Sequence, residues 1–582
     1  MAVAVMHAQR APSRLRELLS PNAVLLVTML IVALALTTPQ VVTIGAMYHD
    51  VYQYFDAANR IFDGGMPARD FATPVGPLGY YLFAIGLTVF PVGQPVLLAQ
   101  WSILVVTAPL LAVVLHDVAK RSRATAFALL IPFLLFALLP FNTIDYYPLP
   151  GVDGFGIYNR QVCSLLYVVV AALVFVRNRR LLTMIVTFAL SALFFVKITG
   201  FLTAAMIVGF AFLAGRLTVR NVQAAVAAFA LLLAGLELTT GLVGDYVGDI
   251  SELVGINRAL LLPRFLQAAS LNFGMFAAIG ALSLVVLWAD RRTLGSVMRS
   301  ALRFRSATRL SAAVNHPACW LLVVLFAGLF FETQNLGSQA LIFIWPVCLR
   351  VILRMRRFRA RPLVGLTVAA LVAAAVLPPP VEVIGRAARV FVGSAVTVPL
   401  DTHNLKSLGQ VALRPDVALR VEHMTAFYPE HRVFYEDFID LEDTPSPLLF
   451  HDPDFHASYL LGVDEAIDSI RALEARAGVR FDTIWSLSSY NVFPYLMDRG
   501  APRSLHIAAD PWRTVSTPDA DELRAVSETD LVVYPTCPTT LVNGKLLAMY
   551  APGLTNHTRI TLDDCSDAFV NETFAAALRG RG

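Results

Sequence analysis

Residues Ile44 to Tyr81 read IGAMYHDVYQYFDAANRIFDGGMPARDFATPVGPLGYY, a polar, aromatic and turn-rich segment directly after the first long apolar run. It places His49 and Asp50 where a chain that has crossed a bilayer emerges. Val51, Tyr54, Phe55, Ala58 and Phe62 recur at helical spacing, which predicts a short amphipathic helix lying at the membrane surface. Asp63-Gly64-Gly65 and then Pro67 stop it. Pro74, Gly76 and Pro77 punctuate the exit, and Pro77 suits the first turn of a second, half-buried helix to about Phe90. Asp50 precedes the first of these helical runs and Gln53 follows three residues later, which is a capping-box pattern.

Outward from this segment, composition sets the class. The chain has 582 residues, 57% hydrophobic and only 15% charged, with a mean hydropathy of +0.63. A water-soluble surface of this size needs more charge, so the chain reads as a polytopic membrane protein. The net charge of +4 decides little; the placement of Lys and Arg decides more. Arg10, Arg14 and Arg16 precede an apolar run from about Ala23 to Ile44, which is longer than a signal-peptide core and has no small-residue cleavage site, so it reads as a retained span.

With about 20 apolar residues per span and basic residues on the cytoplasmic side, the first helix runs outward and the Ile44 to Tyr81 segment is external. Further spans are expected at Pro95 to Leu115, Ala124 to Leu139, from Gln161 to Arg177, as a short pair at Leu181 to Val196 and Phe201 to Ala214, and at Val222 to Gly241. The rest are one ending at Arg291, Cys319 to Phe331, Trp345 to Arg354, and Leu363 to Leu377. Every basic cluster falls on one side of this eleven-span scheme. Residues 1–22 form a cytoplasmic N-terminus, 23–380 the transmembrane domain with its first external loop at 45–81, and 381–582 an external domain. In that last part Thr483 to Leu487, Ser504 to Ala508 and Asp530 to Tyr534 read as strands, with Val463 to Gly478 and Val492 to Arg499 as helices. The pattern implies an α/β layer with a partly parallel sheet. Cys537 and Cys565 are the plausible disulfide if this part is external.

Several residues stand out chemically. Lys197, in the Lys197-Ile198-Thr199-Gly200 turn between two apolar runs, is costly there unless it meets water or an anion; a lipid phosphate is one partner, snorkelling to headgroups the other reading. Arg60, Arg69, Arg160, Arg258 and Arg264 are external arginines able to clamp a phosphate, with Arg160 and Arg258 the favoured pair. Glu332, Gln334 and Asn335 at the outer end of a span either bind sugar hydroxyls or solvate the helix end. Asp145, Tyr146, Tyr147, Asp153 and Tyr158 line a second external loop and suit sugar faces or an aromatic belt. His451-Asp452-Pro453-Asp454-Phe455-His456 lacks a metal-ligand spacing and reads as a loop. Asn491, Phe493, Pro494 and Tyr495 follow a predicted strand, where α/β domains bind ligands.

Asp50, Ala57-Ala58-Asn59-Arg60-Ile61-Phe62-Asp63-Gly64-Gly65, Pro67, Arg69-Asp70-Phe71, Pro74, Gly76-Pro77-Leu78 and Tyr80-Tyr81 together resemble the start of GT-C glycosyltransferases, which include protein mannosyltransferases and lipid A aminoarabinose transferases. The resemblance covers about Asp50 to Leu87 and extends through the topology to about Leu377. It implies a polyprenyl-phosphate sugar donor, a glycan, lipid or protein acceptor outside the cytoplasm, and Asp50 as the base. Many relatives carry Asp-Glu where this chain has His49-Asp50-Val51, so an acidic partner is absent from this position. Asp56 and Asp70 are reserve candidates, and His49 joins Glu332, Gln334 and Asn335 as sugar- or acceptor-binding candidates.

The expectation is a bacterial inner-membrane glycosyltransferase, hexosyl or pentosyl and inverting, with its site at the periplasmic face. No cofactor is required, a divalent metal is not indicated, and nucleic acid is not a partner. Two rivals remain: a flippase for a lipid-linked glycan, which predicts paired broken helices in two halves, and a non-catalytic assembly protein that presents the external domain.

Overall fold

A computed structural model describes residues 20–145, 151–334, 337–358, 360–441 and 452–574. The apolar runs fold into a helical bundle, and each span expected from the sequence falls on a helix or helix pair. Four helices are long and apolar enough to cross a membrane: Ile157–Phe175, Arg179–Val196, Val219–Thr240 and Phe273–Arg303. Three bent pairs bring the number to as many as seven, among them Ala307–Val314 with Pro317–Glu332; shorter apolar helices such as Pro21–Leu36 and Ile198–Leu213 complete the bundle. Proline opens the first turns of Pro21–Leu36, Pro95–Ser102 and Pro317–Glu332, where its missing N–H costs nothing.

Helix Ile157–Phe175 is the axis, with almost every residue buried, whereas no residue of Val219–Thr240 is buried. The latter packs along one side only, through Phe229 on Phe194 and Phe201, and an apolar helix surrounded by helices and one left largely open are both compatible with lipid as solvent. Arginines gather at one end of the bundle. Arg121 donates to the Asp117 carboxylate at 2.9 Å and to Phe175 O at 2.6 Å, while Arg216 donates to Leu173 O at 2.7 Å and Val176 O at 2.6 Å. These cations satisfy the last carbonyls of the axial helix, at the negative end of its dipole. Asp50 and Lys197 lie at the opposite end.

Helix Asp50–Phe62 corrects the first expectation. It is buried continuously from Asp50 to Arg60, so both its faces meet protein rather than lipid or water. Its apolar side packs on helix Leu78–Val89 through Tyr54–Tyr80 and Phe55–Phe83 ring contacts, and its other side is covered by the C-terminal part through Tyr52–Tyr459, Tyr52–Tyr490 and Phe55–Tyr495. Amphipathicity shows that two faces differ; it does not show that the polar face meets water. Gly64, at φ 80°, and Gly65, whose N–H donates to Arg60 O at 2.7 Å, end the helix.

The C-terminal part is joined to the bundle at several levels. Strand Val42–Thr43 pairs in parallel with Val411–Leu413, which pairs antiparallel with Val398–Pro399. A second sheet has the spatial order Ile484–Ser486, Leu531–Pro535, Ser566–Asn571, His557–Asp563; its first pair is parallel and the other two are antiparallel. Cys537 and Cys565 form a disulfide with Cα atoms 4.9 Å apart. The strand expected at Ser504 to Ala508 is absent, because Ser504 (φ 67°) and Ala508 (φ 52°) leave the extended region. That segment instead donates from Ser504 N to Asp70 O at 2.7 Å and from Ile507 N to Ala72 O at 3.2 Å, binding the first loop.

Candidate active site

Asp50 is the first residue of its helix; the cap is His49, which makes no side-chain capping bond. The capping box expected from Asp50 and Gln53 does not form, since Gln53 Oε1 accepts the Tyr80 hydroxyl at 3.1 Å. The Asp50 carboxylate leaves its own helix and accepts the Gly156 N–H at 2.5 Å. Gly156 sits at φ 69° and a Cβ there would lie 2.3 Å from Gly337 O, so only glycine presents this N–H. Burial pushes the Asp50 carboxyl up to about 6, against the opposing pull of the Gly156 N–H and the charges of Arg160, Lys197 and Arg513. A base poised near neutrality holds its proton only transiently.

Asp50 lines a cavity of ≈ 440 Å³. The reserve carboxylates do not: Asp56 is buried in an ion pair with Arg60 at 2.7 Å, and Asp70 accepts Met66 N at 2.8 Å. His49 lines the cavity with its ring stacked on Tyr490 at 5.8 Å, and its Nε2 lies 3.6 Å from Asp50 Oδ1. One wall is apolar, made by Leu202, Ile250, Leu253, Val254, Leu261 and Phe330. Leu202, Val254 and Leu261 are also exposed, so this side opens to the outside of the bundle.

Lys197 occupies the junction between helices Arg179–Val196 and Ile198–Leu213 and turns inward rather than snorkelling. It is 9% exposed, donates to Asn159 Oδ1 at 2.8 Å and Gln334 O at 3.4 Å, and lies 4.7 Å from the centre of the Tyr158 ring. Arg258 lines the cavity and its guanidinium makes no hydrogen bond or ion pair among the described residues. Arg160 is different: fully buried, it donates to Gln100 Oε1 at 2.7 Å, Asn142 Oδ1 at 2.9 Å, Phe155 O at 2.7 Å and Asp153 O at 3.0 Å. It stands behind the cavity and braces the loop that presents Gly156, so it is not placed to clamp a ligand.

A side chamber of ≈ 210 Å³ adjoins the cavity, sharing Thr333, Gln334 and Arg513 with it. Its walls include Arg264, whose Nη1 donates to Asn257 Oδ1 at 3.0 Å and Gln334 Oε1 at 3.1 Å, and Glu332. Asn335, Tyr146, Tyr147 and His451 lie outside the described residues. Asp145 and Asp153 pair with Arg386, at 3.5 and 2.7 Å, and do not line the cavity; Tyr158 does. Asp454 lies 3.4 Å from Arg420, and the buried His456 packs beside His49 and Tyr52. Among the described residues no three His, Cys, Asp or Glu side chains gather as a metal site.

Several cavity residues escaped the sequence reading, two of them charged. Asp510 and Arg513 come from the C-terminal part, in the segment that follows Ser504 to Ala508. Asp510 accepts Trp512 N at 2.9 Å, and the Arg513 guanidinium makes no hydrogen bond or ion pair among the described residues. Asp510 is thus a second carboxylate on the cavity wall, on a chain segment remote from His49-Asp50-Val51. Ser489 and Tyr490, just beyond strand Ile484–Ser486, also line the cavity, whereas the candidates that follow at once, Asn491, Phe493, Pro494 and Tyr495, do not.

No protein-family model and no curated protein matches the chain. Two solved structures are similar to it. ArnT from Cupriavidus metallidurans in the apo state is 11% identical, with 95% of this chain and 98% of that chain covered and a TM-score of 0.42. The archaeal oligosaccharyltransferase AglB from Archaeoglobus fulgidus, in complex with an inhibitory peptide and a dolichol-phosphate, is 12% identical, covering 92% and 72% at a TM-score of 0.26.

Proposed function

We propose that the chain is a membrane-embedded glycosyltransferase that moves a sugar from a polyprenyl-phosphate carrier to a hydroxyl or amine of an extracytoplasmic glycan, lipid or protein. The observation that carries this reading is the composition of one cavity: Asp50 faces it, Asp56 and Asp70 do not, and the same walls present Lys197, Arg258 and Arg513 beside an apolar side open to the outside of the bundle. Acidic base, cationic phosphate site and apolar entrance are what an amphiphilic donor requires.

Asp50 accepts the acceptor proton as the new glycosidic bond forms, and the departing phosphate needs charge stabilisation more than protonation. Lys197, Arg258 and Arg513 supply it, with Arg513 delivered by the C-terminal part. His49, Glu332 and Gln334 contact sugar or acceptor. The topology that fits is eleven spans in a bacterial inner membrane, with residues 1–22 cytoplasmic, 23–380 in the membrane and 381–582 in the periplasm beside the site. The sequence resemblance over Asp50 to Leu87 supports the same reaction and an inverting outcome.

The test is sugar transfer by purified protein in nanodiscs, offered radiolabelled polyprenyl-phosphate hexoses and pentoses with a membrane glycan extract. Donor-dependent labelling of the extract is expected. No labelling with any donor, together with passage of a fluorescent lipid-linked glycan across proteoliposomes, would replace the transferase by a flippase.

A further inference from the structure

Two chambers share Thr333, Gln334 and Arg513. The larger has a continuous apolar wall; the smaller sets Arg264, Gln267, Asn272, Glu332 and Gln334 among Ile144, Ala268 and Leu271. Sugar hydroxyls laid on the apolar wall would lose their hydrogen bonds to water without replacement, whereas the smaller chamber offers them polar partners. We propose that the side chamber is the seat of the donor's sugar, that it takes one monosaccharide ring, and that the Glu332 carboxylate holds an adjacent pair of its hydroxyls. The proposal rests on the transferase reading above.

Glu332 carries the argument. It is 7% exposed, yet among the described residues its side chain accepts only the Ser338 hydroxyl, at 2.9 and 2.8 Å from the two oxygens. A carboxylate offers about four acceptor positions, and a buried one is costly while they stay empty. Two neighbouring sugar hydroxyls present two donors at the spacing of two carboxylate oxygens. Gln267 and Asn272 add amide groups to the same walls. A volume of ≈ 210 Å³ is about seven waters' worth of space at roughly 30 Å³ each, the scale of one sugar ring rather than a chain of them.

Reaction geometry asks for the same arrangement. In an inverting transfer the acceptor oxygen approaches C1 opposite the phosphate oxygen, so the sugar ring extends sideways from that line. Asp50 and the cations Lys197, Arg258 and Arg513 line the larger cavity, and the side chamber branches from it at Arg513. With C1 at the mouth, the C1–O bond to phosphate breaks and its electron pair leaves with the phosphate. The acceptor oxygen bonds C1 and its proton passes to Asp50. Every atom and charge is accounted for without a further reagent.

The experiment compares wild type with Glu332→Gln in nanodiscs, measuring binding of undecaprenyl phosphate, binding of the undecaprenyl-phosphate monosaccharide selected by the transfer panel, and KM for acceptor. Losing a charge-assisted pair worth about 1.5–3 kcal/mol weakens the sugar-bearing lipid about 10- to 100-fold; bare undecaprenyl phosphate and acceptor KM stay unchanged. Gln267→Ala, at an exposed rim position, provides a second variant, with the same pattern at about 2- to 10-fold. Equal weakening of both lipids, or a change confined to acceptor KM, overturns the placement. Wild-type protein that binds neither lipid overturns the transferase reading and the placement with it.

Discussion

Replacing Asp50 with Asn should slow transfer and stabilise the protein in the same step. Burial raises the carboxyl from 3.8 to about 6, a shift of about two units at about 1.36 kcal/mol each, or at most about 3 kcal/mol. The sign follows from linkage. The folded chain binds this proton more tightly than the unfolded chain, so the contribution of Asp50 is fully present below pH 3.8 and is lost as pH rises through about 6. The substituted amide carries no charge at any pH, and its Oδ1 can still accept the Gly156 N–H. Asp50→Asn should therefore resist thermal unfolding better than wild type at pH 8, with the advantage disappearing near pH 4. Transfer should fall about 10²- to 10⁴-fold, the usual worth of a positioned base, and the wild-type rate should rise with pH through about 6. Thermal unfolding in nanodiscs at both pH values, beside transfer rates, measures all of this. A variant that is less stable at pH 8, or one that transfers at the wild-type rate, would refute the assignment of the base and the burial argument behind it.

Arg513→Ala should leave stability within about 0.5 kcal/mol, since its guanidinium makes no bond to lose, while lowering kcat/KM for donor about 10-fold or more; titrating donor against acceptor separates the two. Arg160→Ala should do the opposite, destabilising by about 3–5 kcal/mol as four buried hydrogen bonds open, and the acid limb of the pH profile should move upward because one charge that lowers the Asp50 carboxyl is gone. Intact stability with a raised donor KM would make Arg160 a ligand clamp instead. Gly156→Ala should cost at least about 1–2 kcal/mol from the left-handed backbone alone and reduce transfer by displacing the N–H that holds Asp50, both visible in one melting and one rate measurement.

Much of this architecture is legible in the chain. Apolar length and arginine placement locate the helices, because a bilayer imposes one length and one charge bias. Lys197 and Asp50 are conspicuous as polar groups at the ends of apolar runs. Arg160 and Arg258 look alike in sequence, both being expected in external loops; burial in a network separates them, and burial depends on partners such as Gln100 and Asn142 that no local pattern reveals. Ser504 to Ala508 alternates like a strand, yet two positive φ values turn it into a clasp on the first loop. Asp510 and Arg513 are invisible as site residues for a related reason: they reach the cavity through docking of segments hundreds of residues apart, which spacing does not encode.

That docking has a consequence for biogenesis. The backbone of Gln40 meets Gln410 across 370 residues, next to the pairing of Val42–Thr43 with Val411–Leu413. At roughly 5–20 residues per second, the Asp50 loop waits roughly 20 to 90 s after its own synthesis for the strand and then the Arg513 segment that complete it. A chain arrested before that point would hold the helical bundle without the segments that complete the cavity, so the cavity is finished only when the last third of the chain docks.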